Sequence, residues 1–396
     1  MTTAASVQQT AILRQLPPYV FAELDRLKAA ARATGMTLTD LGIGSPDLPI
    51  APAILDALDM AARDSSTHGY PPFRGHPRYF EAIERFMRSR FGVSVDGPAE
   101  AIALSGAKEG LAQLVTALCG PGDVVLVPEI YYPVYARSAW LAGADVRWVP
   151  MRAADDFILD LDSISAEDAR RARVLIVNYP NNPTGARVEL DFLQRAVEFA
   201  REHELLLVSD LAYSELTFGG TAAPSALECE GARDVTIEFH SFSKTFSMAG
   251  LRVGFAVGNS DAIEALAAYR TNVGYGTPTS IQHAAAFALD HRTTLVPSTV
   301  DAYRTRRDAM VASFRSAGWD VPVPTASMYL WLPVPAGVDD WEWVKTLIDT
   351  DGIVVTPGVA FGDGGRGFFR ISLVRDEVAL RDAAALIAYR RDRMAK

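Results

Sequence analysis

The 396-residue sequence has little cysteine, no excess of basic residues and no long apolar run. Its two cysteines, Cys119 and Cys229, are too few for a disulfide framework and are typical of a reducing compartment. A formal net charge of −10 disfavours nucleic-acid binding. No segment approaches the roughly 20 apolar residues of a membrane helix, and residues 1–10 have no signal-peptide pattern. We therefore expect a cytoplasmic protein that binds neither nucleic acids nor membranes.

Metal binding is also disfavoured, because the six histidines are scattered and lack the spacing of a zinc site. What the sequence does contain is the composition of a folded globular protein, with 49% hydrophobic and 22% charged residues. Its length is too great for a single ordinary core and predicts one large domain with a smaller one.

Seven short apolar segments alternate with helical patterns between residues 101 and 257, and this βαβ order predicts a mostly parallel seven-stranded sheet covered by helices. The segments are 101–104, 124–127, 146–149, 174–177, 205–208, 236–239 and 253–257. After residue 260 the pattern changes to helices, including a long one at 300–316, and a few strands, which predicts a smaller α+β domain. The predicted divisions are an N-terminal arm that forms part of the small domain (1–48), a large domain (49–290) and a small C-terminal domain (291–396).

The first candidate site is the turn at residues 105–109 (Ser-Gly-Ala-Lys-Glu), where a predicted strand ends and a predicted helix begins. Free backbone N–H groups and the helix dipole suit such a turn to an anion such as phosphate. The same residues also fit an ordinary strand-to-helix turn that contains a glycine. This turn alone therefore leaves both interpretations open.

Two further candidate segments also follow predicted strands. Residues 178–185 (Asn-Tyr-Pro-Asn-Asn-Pro-Thr-Gly) predict a turn whose backbone conformation is restricted by its prolines. This turn is either a plain surface loop or a ligand-binding loop at the end of a strand. Asp210 and Tyr213 follow the next strand. An acid in this place either caps a helix or holds a cationic ring nitrogen, with the nearby phenol reaching an adjacent oxygen.

The fourth segment, residues 241–244 (Ser-Phe-Ser-Lys), places Lys244 directly after an apolar strand, and Arg252 follows eight positions later. Lysines prefer solvated surfaces, and a buried lysine is either paired or loses its proton. A lysine with a lowered pKa is suited to Schiff-base chemistry, while Arg252 offers a cation for a phosphate. The order of the four segments along one sheet is a stronger signal than any single segment.

In this order the motifs resemble those of the class I and II aminotransferases, which are fold-type I pyridoxal-phosphate enzymes. The resemblance extends from residues 16–19 to Arg370. The sequences of three segments are most similar to those of the alanine and LL-diaminopimelate aminotransferases: 17–21, 105–110 and 357–362. It implies the large pyridoxal-phosphate-binding domain and the smaller domain described above. It also implies ping-pong transfer of an amino group from an L-amino acid to a 2-oxo acid, by Schiff-base chemistry on Lys244.

The resemblance implies roles for single residues. Lys244, Asp210 and Tyr213 match the catalytic lysine, the acid that pairs with the pyridine nitrogen and the tyrosine that bonds the cofactor's phenolic oxygen. The other positions that match cofactor ligands are Gly106, Ala107, Lys108, Tyr132, Asn182, Ser241, Ser243 and Arg252, with Tyr70 reaching in from a second subunit. The backbone N–H groups of Ala107 and Lys108 are expected to matter more than the Lys108 side chain. The positions that match substrate ligands are Arg370 for the α-carboxylate, Asn182, Gly44 and, at the side-chain pocket, Tyr19.

The implied substrates are small ones. The donor is alanine-like, diaminopimelate-like or another small or amphipathic amino acid, and the acceptor is 2-oxoglutarate or pyruvate. Residues 273–282, where dicarboxylate-specific relatives carry an arginine from the partner subunit, contain no arginine, which disfavours that type of specificity. A homodimer is expected, because Tyr70 matches a tyrosine donated across the interface and Tyr275 lies in a segment that tends to reach the partner's site. Tyr19 also fits a second interpretation, as a core aromatic of the N-terminal arm.

Two other functions share most of these residues. A carbon–sulfur β-lyase or a synthase acting at Cγ needs the same Lys244, Asp210 and Arg370 and differs only after Cα has lost its proton. A non-catalytic relative is less expected, because Lys244 and Arg370 are both intact and the stretch before Pro17 is too short for an added DNA-binding segment.

Overall fold

The computed structural model describes residues 7–220 and 222–394, and within those ranges it has twelve strands in three sheets. The strands are β1 (Thr39–Asp40), β2 (Ala101–Leu104), β3 (Val124–Pro128), β4 (Asp145–Val149), β5 (Ala172–Val177), β6 (Leu206–Asp210), β7 (Thr236–Ser241), β8 (Gly254–Gly258), β9 (Tyr329–Pro333), β10 (Ile353–Val354), β11 (Thr356–Pro357) and β12 (Phe368–Ser372).

The described residues also contain sixteen α-helices. They are α1 (Ala11–Gln15), α2 (Val20–Ala33), α3 (Pro52–Arg63), α4 (Pro77–Phe91), α5 (Gly97–Glu100), α6 (Ala107–Leu118), α7 (Val134–Ala142), α8 (Ala166–Arg171), α9 (Leu190–Glu202), α10 (Ala232–Val235), α11 (Phe242–Thr245), α12 (Ser260–Val273), α13 (Thr279–Asp290), α14 (Arg292–Ser316), α15 (Asp340–Asp351) and α16 (Glu377–Met394). None of them is long and apolar enough to cross a membrane.

The central sheet has seven strands in the order β2-β8-β7-β6-β5-β3-β4. Only β8 runs opposite to the other six strands, so the predicted mostly parallel sheet is confirmed. The strands carry apolar residues on both faces because helices cover both faces. Helices α6, α7 and α12 pack on one face, whereas α4, α9 and α13 belong to the cores on the other. The carboxyl ends of β2, β5, β6 and β7 therefore meet at a single edge.

A smaller lobe is built on the antiparallel sheet β11-β12-β9 and helices α2, α14, α15 and α16. Its core contains Leu24, Phe314, Trp343 and Ile387, all of them fully buried. The N-terminal arm belongs to this lobe, because α2 contributes Leu24 and β1 pairs in parallel with β10. The arm thereby brings the turn after β1 to the edge of the central sheet.

The structure extends one predicted element. The long helix expected at 300–316 begins at Arg292 and contains Pro297. A proline usually marks the end of a helix because it lacks an N–H and its ring clashes with the preceding turn. Pro297 is the sixth residue of the helix, beyond the first turn where proline is well tolerated, so the prediction placed the helix start after it, at residue 300.

Candidate active site

The candidate site is a pocket of about 370 Å³ between the carboxyl edge of the central sheet and the smaller lobe. Both lobes contribute side chains to its wall. The predicted residues that line it are Tyr19, Gly44, Ala107, Lys108, Tyr132, Asn182, Asp210, Tyr213, Ser241, Ser243, Lys244, Arg252 and Arg370. The four segments that follow separate strands in the sequence thus converge on one cavity.

The turn after β2 has the geometry of an anion cradle. Gly106 has a φ of +94°, a conformation that favours glycine, and it caps the N-terminus of α6. A Cβ at this position would overlap the guanidinium of Arg252, which donates to the carbonyls of Ala249 and Ser105 at 2.9 and 3.4 Å. The helix N-terminus, the guanidinium and the Ser241 and Ser243 side chains therefore face the same end of the pocket.

Asp210 lies at the end of β6 and is almost completely buried. Its carboxylate accepts a hydrogen bond from the Tyr135 hydroxyl at 2.6 Å and from the Ala212 N–H at 3.3 Å. Burial raises the pKa of Asp210 to about 6, although these hydrogen bonds and the nearby His240 act in the opposite direction. A cation placed beside this carboxylate would be strongly favoured.

Lys244 extends into the pocket from the short helix α11, which directly follows β7. Burial chiefly, and then the charges of Arg370 and Arg252, lower its pKa below the ordinary value of a lysine, against the effect of Tyr329. Its Nζ donates to the carbonyl oxygen of Gly44. An amine in this environment loses its proton more readily than one in water, as a nucleophile or a general base requires.

Arg370 enters the pocket from β12 of the smaller lobe. Its guanidinium donates to Asn182 Oδ1 at 2.8 Å and to the Gly42 carbonyl at 2.6 Å, and its central carbon lies over the rings of Tyr329 (4.2 Å) and Phe361 (4.7 Å). Its Nε has no hydrogen-bond partner among the described residues. A buried guanidinium held in one plane is suited to a carboxylate.

The side chain of Lys108 points to the aromatic side of the pocket. Its Nζ lies 5.8 Å from the ring centroids of both Tyr19 and Tyr132, and it forms no salt bridge with any carboxylate of residues 7–220 and 222–394. Both aromatic rings line the pocket. This supports the interpretation of Tyr19 as a pocket residue over that as a core aromatic, while its contact with substrate stays a prediction.

Two predicted residues lie outside the lining. Gly106 adjoins the pocket through its contact with Arg252. Tyr70 is on the surface, 81% exposed, and its ring stacks on that of Tyr275 with centroids 4.2 Å apart. Within its own chain Tyr70 therefore does not reach the pocket, and its contribution to a partner's site stays a prediction.

The sequence interpretation missed two tyrosines of the pocket wall, Tyr135 and Tyr329. Tyr135 lies in α7, whereas Tyr132 precedes that helix, so their spacing carries no helical periodicity that would have placed both side chains in the pocket. Tyr329 begins a strand of the smaller lobe, where nothing in its neighbours distinguishes it from a core residue.

The residues present fit pyridoxal phosphate. The turn at Gly106 with Arg252 suits its phosphate, the anionic Asp210 suits its ring nitrogen, and the buried amine of Lys244 suits its aldehyde. No cluster of three potential metal ligands occurs in the described part of the chain.

Comparison with known proteins gives one consistent family. A family model described as aminotransferase class I and II matches residues 37–387. The LL-diaminopimelate aminotransferase of Desulforudis audaxviator is 45% identical over 361 residues, which cover 91% of this chain and 92% of that protein.

Solved structures agree with this result. A substrate-bound BacF structure from Bacillus subtilis has a TM-score of 0.93 and 34% identity, covering 97% of this chain and 98% of that one. A probable N-succinyldiaminopimelate aminotransferase from Thermus thermophilus has a TM-score of 0.87 and 37% identity, covering 93% and 99%.

Proposed function

Since the chain belongs to the aminotransferase class I and II family, and is thus a pyridoxal-phosphate-dependent aminotransferase, we propose that it moves an amino group from a diaminopimelate-like donor to 2-oxoglutarate. The observation that carries the proposal is the placement of three cationic side chains in one pocket besides the Arg252 of the anion cradle: Lys244 after β7, Arg370 on the small lobe and Lys108 beside Tyr19 and Tyr132. They offer one amine and two sites for carboxylates.

We assign the α-carboxylate of both substrates to Arg370. The two rings and the two hydrogen bonds that fix its plane support this role, as does the unpartnered Nε. Asn182 and the turn at Gly44 lie beside the same group and would complete the carboxylate site. A bidentate contact of this kind orients Cα with respect to Lys244.

The proton at Cα is assigned to Lys244. Pyridoxal phosphate, when bound, supplies a ring that absorbs the negative charge left at Cα. Asp210 would keep the ring nitrogen protonated, and Tyr213 would donate to the phenolic oxygen. The lowered pKa of Lys244 supports its role as the base, because lowering it favours the neutral amine, the form of Nζ that can accept a proton.

The far end of the substrate is assigned to Lys108. Its ammonium lies beside Tyr19 and Tyr132 without a carboxylate partner in the described residues. It is therefore suited to the second carboxylate of 2-oxoglutarate, and to the distal carboxylate of a diaminopimelate-like donor. This arrangement needs no arginine from residues 273–282. The names of the relatives from D. audaxviator and T. thermophilus support the same donor class.

The remaining predictions concern the assembly. We propose a cytoplasmic homodimer in which Tyr70, and also Tyr275, extend toward the partner's site. Their exposure of 81% and 56% supports this arrangement, because large aromatic side chains are unusual on a free surface. The divisions 1–48, 49–290 and 291–396 stay our proposal for the domain boundaries, supported by the separate core of the smaller lobe.

A visible spectrum of the purified protein, taken before and after single amino acids are added, tests the reaction. We expect LL-diaminopimelate and glutamate to bleach the visible band of the bound cofactor, with one oxo acid and no ammonia released. Adding 2-oxoglutarate should then restore the band. Alanine serves as the donor without a distal carboxylate and should react more slowly.

Two results would contradict the proposal. A band that persists while cystathionine yields pyruvate and ammonia would assign the protein to the carbon–sulfur lyases. A protein that gains no visible band after pyridoxal phosphate is added would show that Lys244 does not bind the cofactor's aldehyde.

A further inference from the structure

Two buried tyrosine hydroxyls meet at the pocket wall. The hydroxyl of Tyr213, which follows β6, lies 3.0 Å from that of Tyr329, the first residue of β9. Both side chains are buried, and their rings meet edge to face with centroids 5.7 Å apart. This hydrogen bond joins the large lobe to the small lobe inside the site.

The ring of Tyr329 has a second contact, with Arg370. The guanidinium carbon lies 4.2 Å from the ring centroid of Tyr329, closer than the 4.7 Å to that of Phe361. A guanidinium over an aromatic face is attracted to it, most strongly when both are desolvated. Tyr329 therefore touches both the proposed carboxylate site and a proposed cofactor ligand.

The N-terminal arm closes against the same hydroxyl. A Cβ at Gly44 would overlap the Tyr329 hydroxyl, so only glycine lets the arm approach this closely. The carbonyl of Gly44 also accepts the hydrogen bond from Lys244. The phenol is therefore enclosed on three sides, which fixes its direction.

The surroundings of the Tyr329 hydroxyl shift its pKa in opposite directions. Burial opposes its ionisation, but the neighbouring Lys244 and Arg370 lower its pKa below the ordinary value of a tyrosine, whereas burial raises that of Tyr213. The titratable groups that face this phenol are Lys244 after β7, Arg370 on β12, Tyr213 after β6, Tyr132 before α7 and Tyr303 on α14.

We propose that Tyr329 is a positioning residue with two separable parts: its hydroxyl donates to that of Tyr213, which leaves the single proton of Tyr213 for the cofactor's oxygen, and its ring holds the guanidinium of Arg370. The inference rests on the proposed roles of Tyr213 and Arg370. A substitution that removes only the hydroxyl should therefore alter the cofactor's surroundings and leave carboxylate binding intact. A substitution that also removes the ring should alter both.

The first test titrates the visible absorbance of the holoenzyme with pH. We expect Tyr213→Phe to raise the apparent pKa of that absorbance, because the cofactor's oxygen loses a donor. Tyr329→Phe should shift it in the same direction by a smaller amount, about 0.5 to 1 unit. The double variant should match Tyr213→Phe alone, since Tyr329 acts through Tyr213.

The second test separates the ring from the hydroxyl. Glutarate, which has the two carboxylates of 2-oxoglutarate but no oxo group, is titrated into each holoenzyme. We expect its Kd to stay within about twofold for Tyr329→Phe and to rise roughly 3- to 30-fold for Tyr329→Leu. Tyr79→Phe is the matched control, because it deletes a buried hydroxyl that donates to the Gly254 carbonyl outside the pocket lining. It should alter neither the absorbance pKa nor the glutarate Kd.

The outcomes distinguish this inference from the function on which it rests. An unchanged absorbance pKa in Tyr329→Phe beside a shifted one in Tyr213→Phe would overturn the role of Tyr329 alone. Additive shifts in the double variant would do the same. An unchanged absorbance pKa in Tyr213→Phe would overturn the role of Tyr213 and the inference together.

Discussion

Asp210 and Glu238 are two buried carboxylates on the neighbouring strands β6 and β7, and they differ in how many hydrogen bonds they receive. The pocket-side carboxylate of Asp210 receives two, at 2.6 and 3.3 Å. The carboxylate of Glu238 is fully buried and has four partners within 3.1 Å. These partners are the hydroxyls of Ser209 and Ser225, the N–H of Ala226 and the ring of His240.

The difference separates a structural carboxylate from a functional one. Glu238 uses the capacity of both oxygens inside the protein, so it stabilises the fold and has nothing left for a ligand. Asp210 retains acceptor capacity, and its raised pKa of about 6 shows that the ionised form lacks compensation. Asp210 and the Nε of Arg370 are both buried with incomplete partners, and both lie in the pocket; Trp343 Nε1 also lacks a partner but lies in the core of the smaller lobe.

The largest effect is expected for a substitution in the pocket, the region of Asp210 in this comparison. Lys244→Ala should abolish the visible band of the bound cofactor and lower turnover by roughly four orders of magnitude or more. Thermal stability of the apoenzyme should not fall, because burial already disfavours the charged lysine. Lys345→Ala, at an exposed lysine of α15, is the control. A variant that keeps the band would remove Lys244 from the centre of the site.

The structural side is tested by Glu238→Gln. The NH₂ group of the glutamine would face donors that now bind a carboxylate oxygen. The free energy of unfolding, measured with a chemical denaturant, should therefore fall by about 3 to 5 kcal/mol. The absorbance pKa of the holoenzyme should stay unchanged. Glu230→Gln, at an exposed position nearby, should leave stability unaltered. An altered absorbance with intact stability would reverse the assignment of the two carboxylates.

Asp210→Asn tests the same contrast with the opposite sign. The folded pKa of about 6 is above the reference value of 3.8, so ionisation costs the apoenzyme stability as pH rises between these values. The free energy of unfolding of the asparagine variant should therefore exceed that of the wild type by up to about 3 kcal/mol above pH 6, and the two should be equal below about pH 4. It should also bind the cofactor more weakly. Chemical unfolding across this pH range measures the difference, and a gain that is independent of pH would contradict it.

The smallest effect concerns Lys108, a charge without a carboxylate partner in the described residues. Lys108→Ala should raise KM for 2-oxoglutarate about tenfold, equivalent to about 1.4 kcal/mol. KM for pyruvate, which has no second carboxylate, should change less than about twofold. Steady-state kinetics with both acceptors measures the ratio, with Lys345→Ala as control. An equal rise for both acceptors would move the role of Lys108 away from the distal carboxylate.

The sequence predicted the sheet and the four segments at its edge because both depend on local patterns, whereas Tyr19, Gly44, Tyr132 and Arg370 were assigned to the site only through the resemblance to the aminotransferases. Each strand of the central sheet is a short apolar run, and the polar residues that follow β2, β5, β6 and β7 meet once those strands run parallel. Tyr135 and Tyr329 could not be assigned to the pocket in this way. Their partners, Asp210 and Tyr213, lie 75 and 116 positions away, and no local pattern encodes such a contact. The same holds for the incomplete hydrogen bonding of Asp210, which only the folded environment defines.

The pairing of β1 with β10 sets an order on folding during synthesis. Thr39 pairs with Ile353, so the strand that opens the small lobe waits for about 300 further residues to leave the ribosome. At about 5 to 20 residues per second, that delay is on the order of 15 to 60 s. The central sheet, complete by Gly258, can form during this interval. The arm that carries Gly44 therefore pairs with β10 only after this interval, and the site, which also needs Arg370 of β12, is completed only after nearly the whole chain has been made.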